Sequence, residues 1–434
     1  MHHTRLVTLL LTFLASAAAS PLPPLSASAF SLSDATPPLT RLSSYTPSHI
    51  TLPLARRFNG TGSANVLKFD QARAKATKSR SNGQGGSGTG ASDGVFNAAA
   101  TSQAVSYVVT AFIGEPPTQY KLLVDTGSSN TWVGAGKPYA PSSTTQVTGD
   151  IVSVTYGSGF FFGEEVFDKI VLANGLTLRN QSIGAAIHSE GFDGVDGILG
   201  VGPQDLTCGS LLTNPDECFD TVTDTAWKAG LLDAYEIGIS FRPSTKVDQT
   251  NGELTFGGID SSKFEGQLSY VPLTTTSPAD KFVGYNQSIR YGNKQRVLDQ
   301  TAGILDTGTT LILLATDAFE RYKNYTGGVL DEDTGLLRIT PEQYGNLQNL
   351  NFKIGHDTYA LTPNAQIWPR ALNEEIGGTK DGIYLIVNDL QSKSGEGLDF
   401  INGMSFLERF YAVYDIGNSR IGLAKTEYTS SQSN

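Results

Sequence analysis

Two aspartates stand where a carboxylate is costly unless it is put to use. Leu122-Leu123-Val124 runs into Asp125, and Thr126-Gly127-Ser128-Ser129-Asn130 follows at once. Far downstream, Gly303-Ile304-Leu305 runs into Asp306, and Thr307-Gly308-Thr309-Thr310 follows. An apolar run broken by a Gly-containing turn reads as a buried strand feeding a tight loop. A charge at the end of such a strand must be hydrogen-bonded or serve chemistry. Two copies of one loop imply two halves that together present a pair of carboxylates. Close together, the two cannot both ionise freely and share one proton. The ionised member can take a proton from water while the protonated one hydrogen-bonds the group under attack. Paired carboxylates also hydrolyse glycosides, but that chemistry does not call for two copies of one Asp-Thr-Gly loop.

The tripeptide alone is weak evidence, because a third copy occurs at Asp333-Thr334-Gly335. That copy follows Asp331-Glu332 instead of an apolar run, and Leu336 stands where the other two have Ser128 and Thr309. It reads as a surface turn. The diagnostic pattern is the strand, the Asp, the Thr-Gly and the next hydroxyl taken together.

The elements that must position these loops are mostly strands. Val105–Ile113, 151–156, 160–162 with Val166 and Phe167, 170–172, 253–256 and 411–414 all read as β. Helices are few. Thr340-Pro341-Glu342-Gln343 carries an N-cap, a Pro at the first position and a capping-box Gln. Residues 316–325 end at Gly327-Gly328, a C-terminal cap signal, and 221–232 is a third candidate. Each Asp loop is followed by an apolar-to-Gly segment, Gly197-Ile198-Leu199-Gly200 and Phe400-Ile401-Asn402-Gly403, so a duplicated β lobe is expected.

The chain has 434 residues, enough for two or three cores. Its net charge of −11 argues against nucleic acid or an anionic membrane as partner. Residues 1–94 carry nine Lys and Arg against three Asp and Glu, leaving 22 against 39 in the remainder, net charges of +6 and −17. A basic leader can bind an acidic body near neutral pH and loosen as carboxylates protonate, or it can be an ordinary disordered segment. Residues 1–20 read as a secretory signal, with Arg5, an apolar core and small residues at 15–19. Residues 21–94 read as a propeptide ending in a Gly/Ser-rich junction at 82–90. The body divides into expected lobes at 95–268 and 269–434. No apolar run reaches membrane-spanning length, and the five scattered His support no metal site. Cys208 and Cys218, in an exported chain, favour a local disulfide over two free thiols. Asn59, Asn180, Asn286 and Asn324 lie in Asn-x-Ser/Thr sequons.

The two Asp loops, with Tyr156-Gly157-Ser158-Gly159 and then Asp196–Gly200 between them, resemble the pepsin-like aspartic endopeptidases, over about 107–424. The resemblance implies a bilobal, mostly β acid-protease fold with a cleft between two related lobes. It implies an acid-active endopeptidase that hydrolyses peptide bonds by activated water, needs no cofactor, and is made as a monomeric zymogen inhibited by its own propeptide. By resemblance Asp125 and Asp306 are the catalytic dyad, Ser128 and Thr309 bond their outer oxygens, and Thr126 and Thr307 cross-link the loops. Gly127 and Gly308 let the substrate backbone approach. Tyr156, Gly157 and Ser158 form a substrate-binding flap, with Tyr156 bonded to the Trp132 indole. Substrates would be polypeptides with bulky apolar residues around the cut, since Ser158 stands where relatives that accept lysine there often carry Asp. Met404 replaces an Asp common in the family, which bears on the pH optimum. Secretion is expected, with an acidic vacuole as the alternative.

Overall fold

The computed structural model describes residues 49–58, 66–79 and 105–434, apart from 158, 173–174 and 247. The signal segment, the Gly/Ser junction, Asn59 and Ser158 fall outside the described residues. The leader supplies strand β1 (Ile50–Phe58) and helix α1 (Val66–Ser79). The first half of the body runs through β2 (Val105–Ile113), β3 (Thr118–Asp125), β4 (Thr131–Val133), β5 (Gln146–Thr155), β6 (Phe160–Leu172), β7 (Thr177–Glu190) and β8 (Gly197–Gly200). Helix α2 (Val222–Lys228), β9 (Glu236–Ser240), β10 (Gln249–Phe256) and β11 (Glu265–Pro272) complete it. The second half begins with β12 (Gly284–Tyr291), β13 (Gln295–Leu305), β14 (Ile312–Leu314), α3 (Thr316–Thr326), β15 (Val329–Leu330), β16 (Leu337–Ile339) and α4 (Pro341–Gly345). It continues with β17 (Leu350–Ile354), β18 (Asp357–Leu361), β19 (Ile383–Leu385), β20 (Val387–Asp389), β21 (Phe400–Asn402), α5 (Met404–Leu407), β22 (Phe410–Asp415) and β23 (Arg420–Lys425).

Two sheets carry the two Asp loops, giving the expected bilobal, mostly β fold. In the larger, β3 lies parallel to β8, and β8 lies antiparallel to β4, which runs parallel to β7. In the smaller, β13, β21, β14 and β20 repeat that arrangement in the same senses. The apolar-to-Gly segments are thus the strands clamped between the two arms of each loop. Leu122, Leu123, Val124, Ile304 and Leu305 are all buried, which explains why each run is uninterrupted.

Among the described residues the larger sheet has thirteen strands in the order β11-β23-β22-β9-β10-β1-β2-β3-β8-β4-β7-β6-β5. Leader strand β1 therefore lies inside it, between β10 and β2. Strands β22 and β23 from the far end of the chain join the same sheet, and the boundary expected at 268/269 falls inside β11.

Thr221 and Thr340 form capping boxes with Asp224 and Gln343, and Gly327 closes α3 at φ 70°. The 221–232 candidate is shorter than expected, ending at Lys228. The third Asp-Thr-Gly forms the turn between β15 and β16, where Thr334 donates from its N–H and hydroxyl to Asp331 at 3.0 and 2.9 Å.

Candidate active site

Strands β3 and β13 deliver Asp125 and Asp306 to the same place, and both side chains are fully buried. Each carboxylate is held by its own loop. Gly127 N–H donates to Asp125 Oδ1 at 2.8 Å and the Ser128 hydroxyl donates to Oδ2. Gly308 N–H donates to Asp306 Oδ1 at 3.0 Å and the Thr309 hydroxyl to Oδ2 at 2.6 Å. The hydroxyl after each Thr-Gly thus bonds one oxygen and the Gly N–H the other.

The loops are tied to each other by a reciprocal set of bonds. Thr126 N–H donates to Thr307 Oγ1 and Thr307 N–H to Thr126 Oγ1, both at 3.0 Å. The Thr126 hydroxyl donates to the Leu305 carbonyl at 3.2 Å, and that of Thr307 to the Val124 carbonyl at 3.0 Å. All four groups are buried, so every bond is made where an unmade one would be expensive. The contact leaves no room for a side chain, since a Cβ on Gly127 would stand 2.8 Å from Asp306 Oδ1.

The space over the carboxylates is taken by Arg73 from α1. Its Nη2 donates to Asp125 Oδ1 and, at 2.8 Å, to Asp306 Oδ1, while its Nε donates to Asp306 Oδ2 at 2.6 Å. One guanidinium fork therefore bridges both carboxylates. Burial alone would push the Asp306 carboxyl up, but the charge and hydrogen bonds of Arg73, with those of Thr309 and Gly308, hold it below the usual range. Three positions earlier, Asp70 accepts from Thr310 N–H at 3.1 Å and Leu311 N–H at 2.7 Å. Burial outweighs those two bonds and pushes the Asp70 carboxyl up to about 7. Gln71 donates to the Asp389 carbonyl at 2.8 Å, and Lys78 pairs with Glu396 at 2.9 Å. A second leader cation, Arg56 on β1, lies 3.3 Å from the buried Glu408.

Sequence reasoning missed this use of Arg73. The residue is one of seven Lys and Arg between 56 and 80, and nothing local marks it out. Its partners lie 52 and 233 positions away.

Strands β5 and β6 form the expected hairpin, closed by Tyr156 N–H donating to the Gly159 carbonyl at 2.7 Å. Its tip rests on α1, where a Cβ on Gly157 would collide with the Arg73 backbone. Tyr156 packs edge-on against Phe192 at 5.3 Å, beside Trp132 and Phe161. The bond expected between Tyr156 and the Trp132 indole is absent: Nε1 of Trp132 makes no hydrogen bond among the described residues. The two rings sit 6.3 Å apart and tilted by 31°, with the leader helix beneath the hairpin. Trp132 instead stacks on Phe161 at 4.4 Å.

Cys208 and Cys218 form a disulfide with Cα atoms 4.3 Å apart. Asn402, which breaks the match between the two apolar-to-Gly segments, is buried and donates to the Tyr285 hydroxyl and to Gln287. Met404, also buried, donates its N–H to the Thr309 carbonyl at 2.8 Å. Asn180, Asn286 and Asn324 are exposed.

Comparison with known proteins agrees with this geometry. Residues 106–426 match the family model described as eukaryotic aspartyl protease. The chain is 57% identical to polyporopepsin of Irpex lacteus over 335 residues, 77% of this chain and 98% of that protein. It is 29% identical to pepsin A of Rhinolophus ferrumequinum, over 74% of this chain and 81% of that one. The crystal structure of the aspartic proteinase from Irpex lacteus superposes with a TM-score of 0.77 at 49% identity, covering 89% of this chain and all of that one. Two loops built alike, tied through their threonines and matched along almost the whole body, leave one conclusion: the chain belongs to the eukaryotic aspartyl protease family and is an aspartic endopeptidase.

Proposed function

We propose that Asp125 and Asp306 are the catalytic dyad and that the chain is the inactive precursor of a secreted acid endopeptidase. The observation that carries this reading is Arg73, one leader side chain that engages both carboxylates at once. With Arg73 in place, no water or peptide can reach the oxygens that would act on them. Once the leader is gone, the two carboxylates share a proton. The ionised one draws a proton from a water held between them, and that water attacks the scissile carbonyl carbon. The protonated one donates to the carbonyl oxygen, which gains charge as the tetrahedral centre forms. Collapse of that centre releases the amine, which takes up a proton. The Ser128 and Thr309 hydroxyls hold the outer oxygens in place during these steps.

Polypeptides are the substrates of this family, and bulky apolar residues beside the cut are the preferred ones in this reading. Leu123, Tyr156, Phe161, Phe192 and Val195 make one apolar cluster next to Asp125, which supports that preference. The Tyr156 hairpin acts as the flap. The signal-like start supports export, with an acidic vacuole as the alternative destination.

The test is direct. Full-length chain shifted from pH 7 to pH 3 should shorten by about the length of the leader and then digest denatured haemoglobin, with a pepstatin-type inhibitor blocking both. Asp125→Asn and Asp306→Asn should each do neither while remaining folded. Proteolysis by either purified variant at wild-type rate would overturn the assignment of the dyad. Normal self-processing by Asp125→Asn would assign maturation to another protease.

A further inference from the structure

Among the described residues, strand β5 ends the thirteen-strand sheet, so one of its edges has no neighbouring strand there. An open edge leaves N–H and C=O groups unpaired and lets the strand move. Here that edge is covered by the loop that the disulfide closes. Ser153 N–H donates to the Ser210 carbonyl at 2.9 Å, and Leu212 N–H donates to the Ile151 carbonyl at 2.8 Å. Leu211 bridges Val152 in antiparallel register, and the Thr213 hydroxyl donates to Asp150. Leu211 is 1% exposed and joins the cluster that holds Val152, Val154, Tyr156, Trp132 and Phe192.

The same loop reaches the first Asp loop. Asn130, five residues beyond Asp125 and buried, donates from Nδ2 to the Ser210 hydroxyl at 3.1 Å, and that hydroxyl donates to the Thr207 carbonyl at 2.6 Å. Ser210 and Leu211 therefore touch the loop that holds one carboxylate and the strand that leads into Tyr156. Within the loop Gly209 N–H donates to the Pro215 carbonyl at 3.0 Å, and beside the cysteines Phe219 N–H donates to the Thr207 hydroxyl at 3.0 Å. Residues 212–218 are all exposed, as is Cys208, so Leu211 is the loop's main apolar anchor. The covalent tie closes the base of this exposed segment together with those bonds.

We propose that the Cys208–Cys218 loop is a positioning strut, which fixes the β5 strand and Tyr156 relative to the Asp125 loop and thereby tunes peptide binding. This rests on Tyr156 being a substrate-facing residue of the flap. The dyad's own hydrogen bonds do not pass through the strut, so opening it weakens substrate binding more than the chemical step.

The chain contains only these two cysteines, so a phosphine reductant acts at one place. The phosphine takes an oxygen from water and becomes its oxide while the disulfide gains two electrons and two protons. The acid-activated protein, with reduction verified by thiol titration, is assayed on a fluorogenic peptide with bulky apolar residues at the cut. Reduction should raise KM about fivefold and leave kcat within about twofold, the signature of lost binding held equally in ground and transition states. Cys208→Ser/Cys218→Ser should show the raised KM without reductant and no response to it. Leu211→Ala, disulfide intact, should shift KM the same way, and Leu211→Met should restore it. Amide exchange at Ser153 should quicken on reduction while that at Thr126 and Thr307 does not. An unchanged KM in the reduced protein, or a fall in kcat alone, overturns the strut. Tyr156→Ala separates the two readings. If it alters neither KM nor kcat, the flap reading fails, and if it impairs while reduction is silent, only the strut fails.

Discussion

The hydroxyls of Thr126 and Thr307 each satisfy two backbone groups of the opposite loop, and no water can replace them in a buried position. Thr307→Val keeps the shape but strands the Thr126 N–H and the Val124 carbonyl, which should cost about 3 kcal/mol at the usual price of unpaired buried polar groups. Thr307→Ser keeps both bonds and should lie close to wild type in a denaturant titration. Equal stability for all three proteins would show that the cross-loop bonds contribute little. At this scale the sequence was readable where function writes a local grammar. The strand, the Asp, the Thr-Gly and the hydroxyl are adjacent in the chain, and the third copy, which lacks the strand and the hydroxyl, forms a turn in which Asp333 is exposed but Thr334 and Gly335, expected at the surface, are buried. Arg73 and Asp70 have no such grammar, because what defines them is a partner more than fifty residues away. The Trp132–Tyr156 bond was expected on resemblance, and the structure instead has the leader helix under the hairpin.

Helix α1 was read only as a basic stretch. It carries no acidic residue in its first turn, and its buried side mixes Val66, Leu67, Phe69 and Ala74 with Asp70, Arg73 and Thr77, so its apolar stripe is interrupted by polar residues. It is a helix because the cleft packs it. Its attachment should depend on pH in two opposite ways. Asp306 has a lowered pKa in the docked form, so its contribution is complete above the ordinary carboxylate value of about 4 and is lost as pH falls through the lowered value. Asp70 has a raised one, about 7, so its contribution is complete below about 4 and is lost as pH rises through 7. Docking should be firmest near pH 4, where the Asp306 contribution is complete and that of Asp70 has not yet begun to fall. Thermal unfolding of the full-length chain from pH 4 to pH 8 should show stability falling between about pH 4 and pH 7 and levelling above that, and Asp70→Asn should flatten that fall. A variant that declines as steeply as wild type would rule Asp70 out as its source. Arg73→Ala should leave two buried carboxylates without their cation, weakening docking by about 3–5 kcal/mol. Peptide cleavage by the full-length chain at mildly acidic pH, where wild type is still closed, is the measurement that checks it.

On the scale of the whole molecule, duplication was legible because both halves repeat one motif, but the sheet that joins them was not. Strand β1 was assigned to a leader on composition, and composition says nothing about strand order. In the fold it pairs with β10 from Ile50 to Arg56 and with β2 from Ala55 to Phe58, burying Leu52 and Leu54 completely and setting Arg56 against Glu408. A body made without its leader would therefore present two unpaired strand edges inside its largest sheet and, at Glu408 beyond the end of α5, a buried carboxylate without Arg56. Open edges of that kind template aggregation, and the unneutralised carboxylate adds a cost that falls as it protonates. Refolded from denaturant at pH 7, residues 95–434 should yield markedly less soluble protein than the full-length chain. Adding a peptide spanning residues 47–80 should raise that yield, and the same peptide with Leu52→Asp and Leu54→Asp should not. Equal yields with and without the leader would mean that the body closes the gap by itself, so that β1 occupies a place the sheet can fill in another way.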